Sequence, residues 1–194
     1  IWPPPGLRRV RPCGTPPVLQ GPPPSCGTTI MAGSGGWRPA STIFPMTEHW
    51  RSMQTMLEVQ TRGPGLYEIT RDVAGVVAGR GDGLLTLLVQ HTSASLLIQE
   101  NADPDVQRDL TGFFSRLVPR ADDPSMRWLT HTLEGADDMP AHIKAALLPV
   151  SLQVPVRAGH LVLGTWQGIY LVEHRDRPHS RRVAAHFAPD RTPG

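Results

Sequence analysis

Fourteen consecutive residues, from His131 to Lys144 (His-Thr-Leu-Glu-Gly-Ala-Asp-Asp-Met-Pro-Ala-His-Ile-Lys), hold two histidines, three carboxylates and the single lysine of the 194-residue chain. Imidazole nitrogens and carboxylate oxygens are the donors that divalent cations take, and an ammonium beside them suits a phosphate oxygen. The segment is therefore read as one wall of a site for a metal ion, a phosphate or both. His131 and His142 stand eleven residues apart, which matches no helical zinc spacing of the His-Glu-x-x-His kind. For both to reach one ion, the loop between them must fold back. Each residue has a plainer use as well. Asp137 and Asp138 would serve as helix caps, each worth about 1 kcal/mol, and Lys144 as a solvated surface residue.

A second candidate is His91, which ends an apolar run and is followed by Thr92, Ser93 and Ser95. It would ligate a metal or move a proton, with the hydroxyls holding a phosphate or a water. The plainer reading is a strand-end histidine satisfied by backbone. A third is Leu163-Gly-Thr-Trp-Gln-Gly-Ile169, where Trp166 offers a face to a planar ring and Gln167 reads its polar edge. A buried core tryptophan is the equal alternative. Glu100, Asn101 and Glu173 are weaker candidates, Glu173 expected to point into the same cleft. His160, His174, His179 and His186 are read as structural or exposed.

These residues need elements to carry them. Met56 to Thr61 alternates as a strand, the glycines and proline of Arg62-Gly-Pro-Gly65 make a turn, and Leu66 to Ile69 pairs back. Val73, Val76 and Val77 mark a helix over 71–78 with Thr70 as cap. Leu84 to Gln90 reads as a strand buried on both faces, interrupted at His91 and resumed at Leu96. Asp103-Pro104 is a cap followed by a proline at the first helical position, opening an amphipathic helix to about Leu117. Pro140 starts a helix over 140–148, capped by Asp138 or Met139. Strands follow over 151–156, 160–163, 166–173 and 181–187, with hairpin turns at Gly159 and Gly164. The pattern predicts an α+β domain, mainly antiparallel sheet or sandwich, with about three helices.

Composition divides the chain. Residues 1–45 hold 11 of the 21 prolines, both cysteines (Cys13 and Cys26), four arginines and no acid. They are expected to be a disordered Pro/Gly-rich tail, with 46–188 as a single domain, 189–194 as a short tail and translation starting near Met31 or Met46. Without residues 1–45, 15 basic residues face 17 acidic ones, so the net charge moves from +2 to −2. No basic patch for nucleic acid remains, and no apolar run is long enough for a membrane span. With no cysteine in the domain and no secretory pattern, a cytoplasmic protein is expected.

Four motifs recur in one order: His91-Thr-Ser-Ala-Ser-Leu, Glu100-Asn-Ala-Asp-Pro-Asp-Val, His131 to Lys144, and Gly164-Thr-Trp-Gln-Gly-Ile-Tyr. Over about residues 50 to 187 the chain resembles the YjbQ family, whose members are often labelled secondary thiamine-phosphate synthase. Gln99 departs mildly, standing where many members carry Asn. The resemblance implies an α+β, largely antiparallel fold, a homotrimer with sites near subunit contacts, and His91, His131 and His142 as site histidines. It also implies transfer of a pyrimidine methyl group from pyrophosphate to a thiazole phosphate. That reaction needs a divalent cation and cationic donors for the leaving group.

The catalytic set is then His91, His131, His142 and Asp138, and the substrate set Thr92, Ser93, Lys144, Trp166 and Gln167. A divalent ion, Mg²⁺ or Zn²⁺, would be held by His91, His131, His142, Glu134 and Asp137. Three histidines favour zinc or another transition ion over Mg²⁺. Two further functions fit the same residues. One is metal-assisted hydrolysis of a small phosphorylated compound, and the other a non-enzymatic, ligand- or metal-binding trimer.

Overall fold

The computed structural model describes residues 53–190, and the expectations for the proline-rich segment, the translation start and the last four residues lie outside them. The element order is β1 (Met53–Gln60), β2 (Gly65–Glu68), α1 (Thr70–Val77), β3 (Gly83–Val89), β4 (Ala94–Glu100) and α2 (Pro104–Leu117). A 3-10 turn at Pro124–Met126 precedes α3 (Asp138–Leu147), β5 (Ser151–Arg157), β6 (His160–Leu161), β7 (Gln167–Glu173) and β8 (Ser180–Pro189). The fold is α+β and every strand pairing is antiparallel. Five strands form one sheet in the order β1-β8-β3-β5-β6, and three form a second in the order β2-β7-β4.

One apolar core joins the two sheets and α1. Leu85, Leu87, Val154, Val183 and Phe187 come from the larger sheet, Leu96, Ile169 and Leu171 from the smaller, and Val73 and Val77 from α1. Alternation along β1 sends Leu57 and Val59 toward this core and Gln54, Met56 and Glu58 outward. Among the described residues, no helix is long and apolar enough to cross a membrane.

Several local expectations are corrected. Residues 62–65 do not close a hairpin, because β1 pairs with β8 and β2 with β7, so the chain changes sheets there. Gly164 lies at a similar crossing, between β6 and β7. Gly159 does make a hairpin: Ala158 and Gly159 have φ of 49° and 77°, the left-handed pair that a two-residue turn demands. β3 is fully buried on one face only, with Leu88 45% exposed. Thr70 does not cap α1. Its hydroxyl donates to Glu68 Oε1 (2.8 Å) and accepts the Ile169 N–H (2.9 Å).

The two helices flanking the candidate segment differ in how they are held. At α2 the Asp103 carboxylate accepts the N–H of Asp105 (2.8 Å) ahead of Pro104. Despite its amphipathic pattern, no α2 residue is fully buried, and Phe113 and Leu117 stay more than half exposed. α3 begins at Asp138, two residues before Pro140. Asp137 precedes it but makes no side-chain cap, because both carboxylates are engaged elsewhere.

Candidate metal and substrate site

Asp138 and His142 are four residues apart on α3, so they share a face. Gly135 has a φ of 109°, a conformation that side chains resist, and the turn there folds the preceding loop back onto the helix. That return brings His131 to the same point. His131 Nε2 lies 2.9 Å from Asp138 Oδ2, and His142 Nε2 lies 3.2 Å from the same oxygen. One ligand atom from each of the three residues lies within 4.8 Å of the other two. Asp138 itself is 1% exposed.

The other side of the carboxylate is held by Arg175, just past β7. Its Nη1 donates to Asp138 Oδ1, its Nε to Asp137 Oδ2 (2.8 Å) and its Nη2 to the Glu134 carbonyl (3.2 Å). Asp137 Oδ2 also accepts the Asp176 N–H (2.9 Å). Against the upward push of burial, these donors hold the Asp137 carboxyl below its ordinary range. Arg175 thus fixes which oxygen of Asp138 faces the histidines.

Tautomers follow from the partners. His142 Nδ1 lies 3.0 Å from the Thr92 carbonyl, which can only accept, so Nδ1 carries the proton. A neutral His142 then turns a bare Nε2 lone pair toward the Asp138 carboxylate. Two lone pairs 3.2 Å apart repel unless a cation, either a second proton or a metal ion, lies between them. His91 is fixed in the same way. The Arg182 backbone N–H donates to His91 Nε2 (2.9 Å), so that nitrogen is an acceptor and the proton sits on Nδ1. Burial, then the charges of Arg181 and Arg182, keep this imidazole easily neutral by lowering its pKa.

The remaining candidates fall around this centre or away from it. Glu134 stands at the rim, its Oε1 3.8 Å from His131 Nε2. Asp137 faces Arg175 rather than the histidines. His91, Thr92 and Ser93 line a groove of about 670 Å³ together with His142. Ser93 also accepts from Arg181 (3.1 Å). Lys144 opens instead onto a cavity of about 390 Å³ with His174, Arg120 and Asp176, and burial lowers its pKa. Trp166 is 65% exposed, and Gln167 Oε1 accepts the Gly164 N–H (2.8 Å). These two open β7 while Glu173 closes it, a strand length of roughly 20 Å. Glu173 does not face a cleft: it is 1% exposed and bound by Arg181.

Two arginines that hold the buried carboxylates escaped the sequence reading. Arg175 and Arg181 stand among many arginines and match no spacing rule. The run Glu173-His174-Arg175-Asp176-Arg177, five titratable residues in a row at a strand end, was the available signal.

Comparison with known proteins places this geometry in company. Residues 55–190 match the family model described as UPF0047 protein YjbQ-like. A UPF0047 protein of Synechocystis is 49% identical over 72% of this chain and 93% of its own length. The UPF0047 protein YjbQ of Escherichia coli O157:H7 is 44% identical over 68% of this chain and 94% of its own. Among solved structures, a conserved hypothetical protein from Thermus thermophilus superposes with a TM-score of 0.61 at 39% identity, over 69% of this chain and 98% of its own.

Proposed function

The chain belongs to the YjbQ-like UPF0047 family, and on that premise we propose that it is a metal-dependent enzyme acting on a small phosphorylated compound, with His131, Asp138 and His142 as the metal ligands. The observation that carries this reading is the His142 tautomer. With Nδ1–H given to the Thr92 carbonyl, the free Nε2 lone pair is aimed at a buried carboxylate oxygen already approached by His131. A ring N–H bonded to a backbone carbonyl is the usual outer support of a metal-bound histidine. Tetrahedral ligands about 2.0–2.1 Å from zinc lie roughly 3.3 Å apart, close to the 2.9 and 3.2 Å separations here. Two imidazoles and one carboxylate suit Zn²⁺ or a similar transition ion better than Mg²⁺.

Three protein ligands leave a position for water or substrate, and a zinc ion there supplies Lewis acidity and a bound water of pKa near 7. The chain's own part is to hold the ligands. Arg175 keeps Asp138 oriented, the Thr92 carbonyl sets the His142 ring, and exposed Glu134 stands at the rim, its Oε1 3.8 Å from His131 Nε2. Metal-assisted hydrolysis is the reaction class this arrangement supports best.

The thiamine-phosphate synthase reading is favoured by the four ordered motifs. Its cationic donors are scarce here, since Arg175 is engaged with two aspartates and Lys144 opens onto another cavity. The homotrimer is part of the proposal, supported by the exposed apolar residues Phe113 and Leu117 of α2.

The test is elemental analysis and Co²⁺ titration of purified protein, with its sedimentation mass and turnover on a phosphoester panel and on the two thiamine precursors. We expect one transition-metal ion per chain, lost in Asp138→Asn and His142→Ala, a trimer mass, and phosphoester turnover that follows metal content. Absence of metal uptake in the unaltered protein would sink the metal assignment.

A further inference from the structure

Resting on that metal reading, we infer that the groove between His142 and His91 receives the uncharged body of the substrate, whose single anionic group sits at the metal ligands, and that His91 donates to that body through Nδ1–H. The groove of about 670 Å³ reaches the donor set through His142. Its walls include Val89, Ala145, Ala146 and Val150, and its polar groups include His91, Gln90 and Thr92. Among the described residues, no Lys, Arg, Asp or Glu lines it. The small alanines among these walls leave room for a flat ring.

His91 supplies the directional contact. Its Nε2 is taken by the Arg182 backbone N–H, so Nδ1–H is its one remaining polar handle. Among the described residues the only enclosed side-chain nitrogen or oxygen without a partner is His186 Nδ1, so His91 Nδ1 is not an enclosed, unpaired atom. The group it meets must therefore be an acceptor, such as a ring nitrogen, carbonyl or ester oxygen.

Charge limits the rest of the ligand. Asp137, Asp138 and Glu134 against Arg175 leave two negative charges around the donor set, and a divalent ion cancels them. Such a centre takes one anionic head through the ion alone. A second phosphate lying along the groove would meet no cation among its described lining residues: Arg181 is closed onto Glu173, and Lys144 lines the other cavity. An anion removed from water without a partner is strongly disfavoured. The geometry therefore points to a phosphate monoester, or a compound of like charge, with a neutral ring, and away from a diphosphate.

The experiment is calorimetric titration of Co²⁺-loaded protein with inorganic phosphate, phenyl phosphate and pyrophosphate. Phenyl phosphate is expected to bind about tenfold more tightly than inorganic phosphate, and pyrophosphate no more tightly. In Ala146→Phe the ring's advantage should vanish while Co²⁺ and inorganic phosphate bind as before. With 2-pyridyl phosphate, whose ring nitrogen accepts, His91→Ala should lose about fivefold. His91→Asn, which can place an N–H near the Nδ1 position, should keep most of it. Equal binding of phosphate and phenyl phosphate, or tightest binding of pyrophosphate, with Co²⁺ in place, would overturn the inference and leave the metal reading standing. Failure to take up Co²⁺ overturns both.

Discussion

Two buried carboxylates lie near the same end of the smaller sheet, and they are treated in opposite ways. Glu173 closes β7 with both oxygens fully answered. Arg181 grips it through Nε and Nη2 (2.7 and 2.6 Å), Thr61 donates a hydroxyl (2.8 Å), and the N–H groups of His174 and Arg175 complete the shell (2.9 Å each). Asp138 receives one guanidinium on one oxygen and shows the other to two histidines, His131 and His142. Burial pushes the Glu173 pKa up, but its donors, Arg181 first, pull it below the ordinary value. The first carboxylate has no unmet demand and reads as structure. The second turns one oxygen to two imidazoles, and that shared face is what supports the proposed metal site.

Variants at each carboxylate should separate the two roles, and the largest effect is expected at the closed one. Glu173→Gln removes the charge that answers a buried guanidinium, so chemical denaturation should show a loss of about 3–5 kcal/mol. A loss under 1 kcal/mol would mean that the two carboxylates are not different in kind. Acid should act next. His174 is buried, its Nε2 3.0 Å from Ser95 Oγ, and burial followed by the charge of Lys144 lowers its pKa to about 4. The unfolded chain therefore binds this proton first as pH falls. Stability should decline from about pH 6.5 down through pH 4, by on the order of 3 kcal/mol, and level off below. His174→Gln should flatten that slope in denaturation curves taken across the range. The smallest effect is expected at the open carboxylate's support. Arg175→Lys, which keeps a charge beside Asp138 but loses the two-pronged guanidinium grip, should leave the fold largely intact and weaken Co²⁺ affinity about 10- to 100-fold, read by competition with a chelator. Unchanged affinity would place Arg175 with the structural group.

What could be read in the sequence was what depends on neighbours in sequence. The Asp103-Pro104 start of α2 was legible because cap and first turn are adjacent. Pro140 marks the start of α3 two residues late, since the proline is a local signal while Asp137 and Asp138 are held by Arg175, 38 and 37 residues away. His131 and His142 attracted attention by type, yet their meeting depends on the Gly135 turn, which no spacing rule encodes. The pairing of Leu66–Ile69 with the strand before it failed for a related reason. Adjacency favours a hairpin, but β2 and β7 bury their apolar residues together in the other sheet. The tautomers of His91 and His142 depend on backbone groups 91 and 50 residues distant.

The strand order of the larger sheet carries a consequence for biogenesis. β8, the last of the described strands, lies between β1, the first of them, and β3. Until residue 189 has left the ribosome, β1 has no partner and β3 is paired on one side only. Arg175, Arg181 and the Arg182 amide that fixes His91 also emerge within this last stretch. Such non-local pairing closes slowly, so the larger sheet closes only once β8 is available to it. A chain truncated a few residues inside β8 would lose the larger sheet and the arrangement of both carboxylates in a single step.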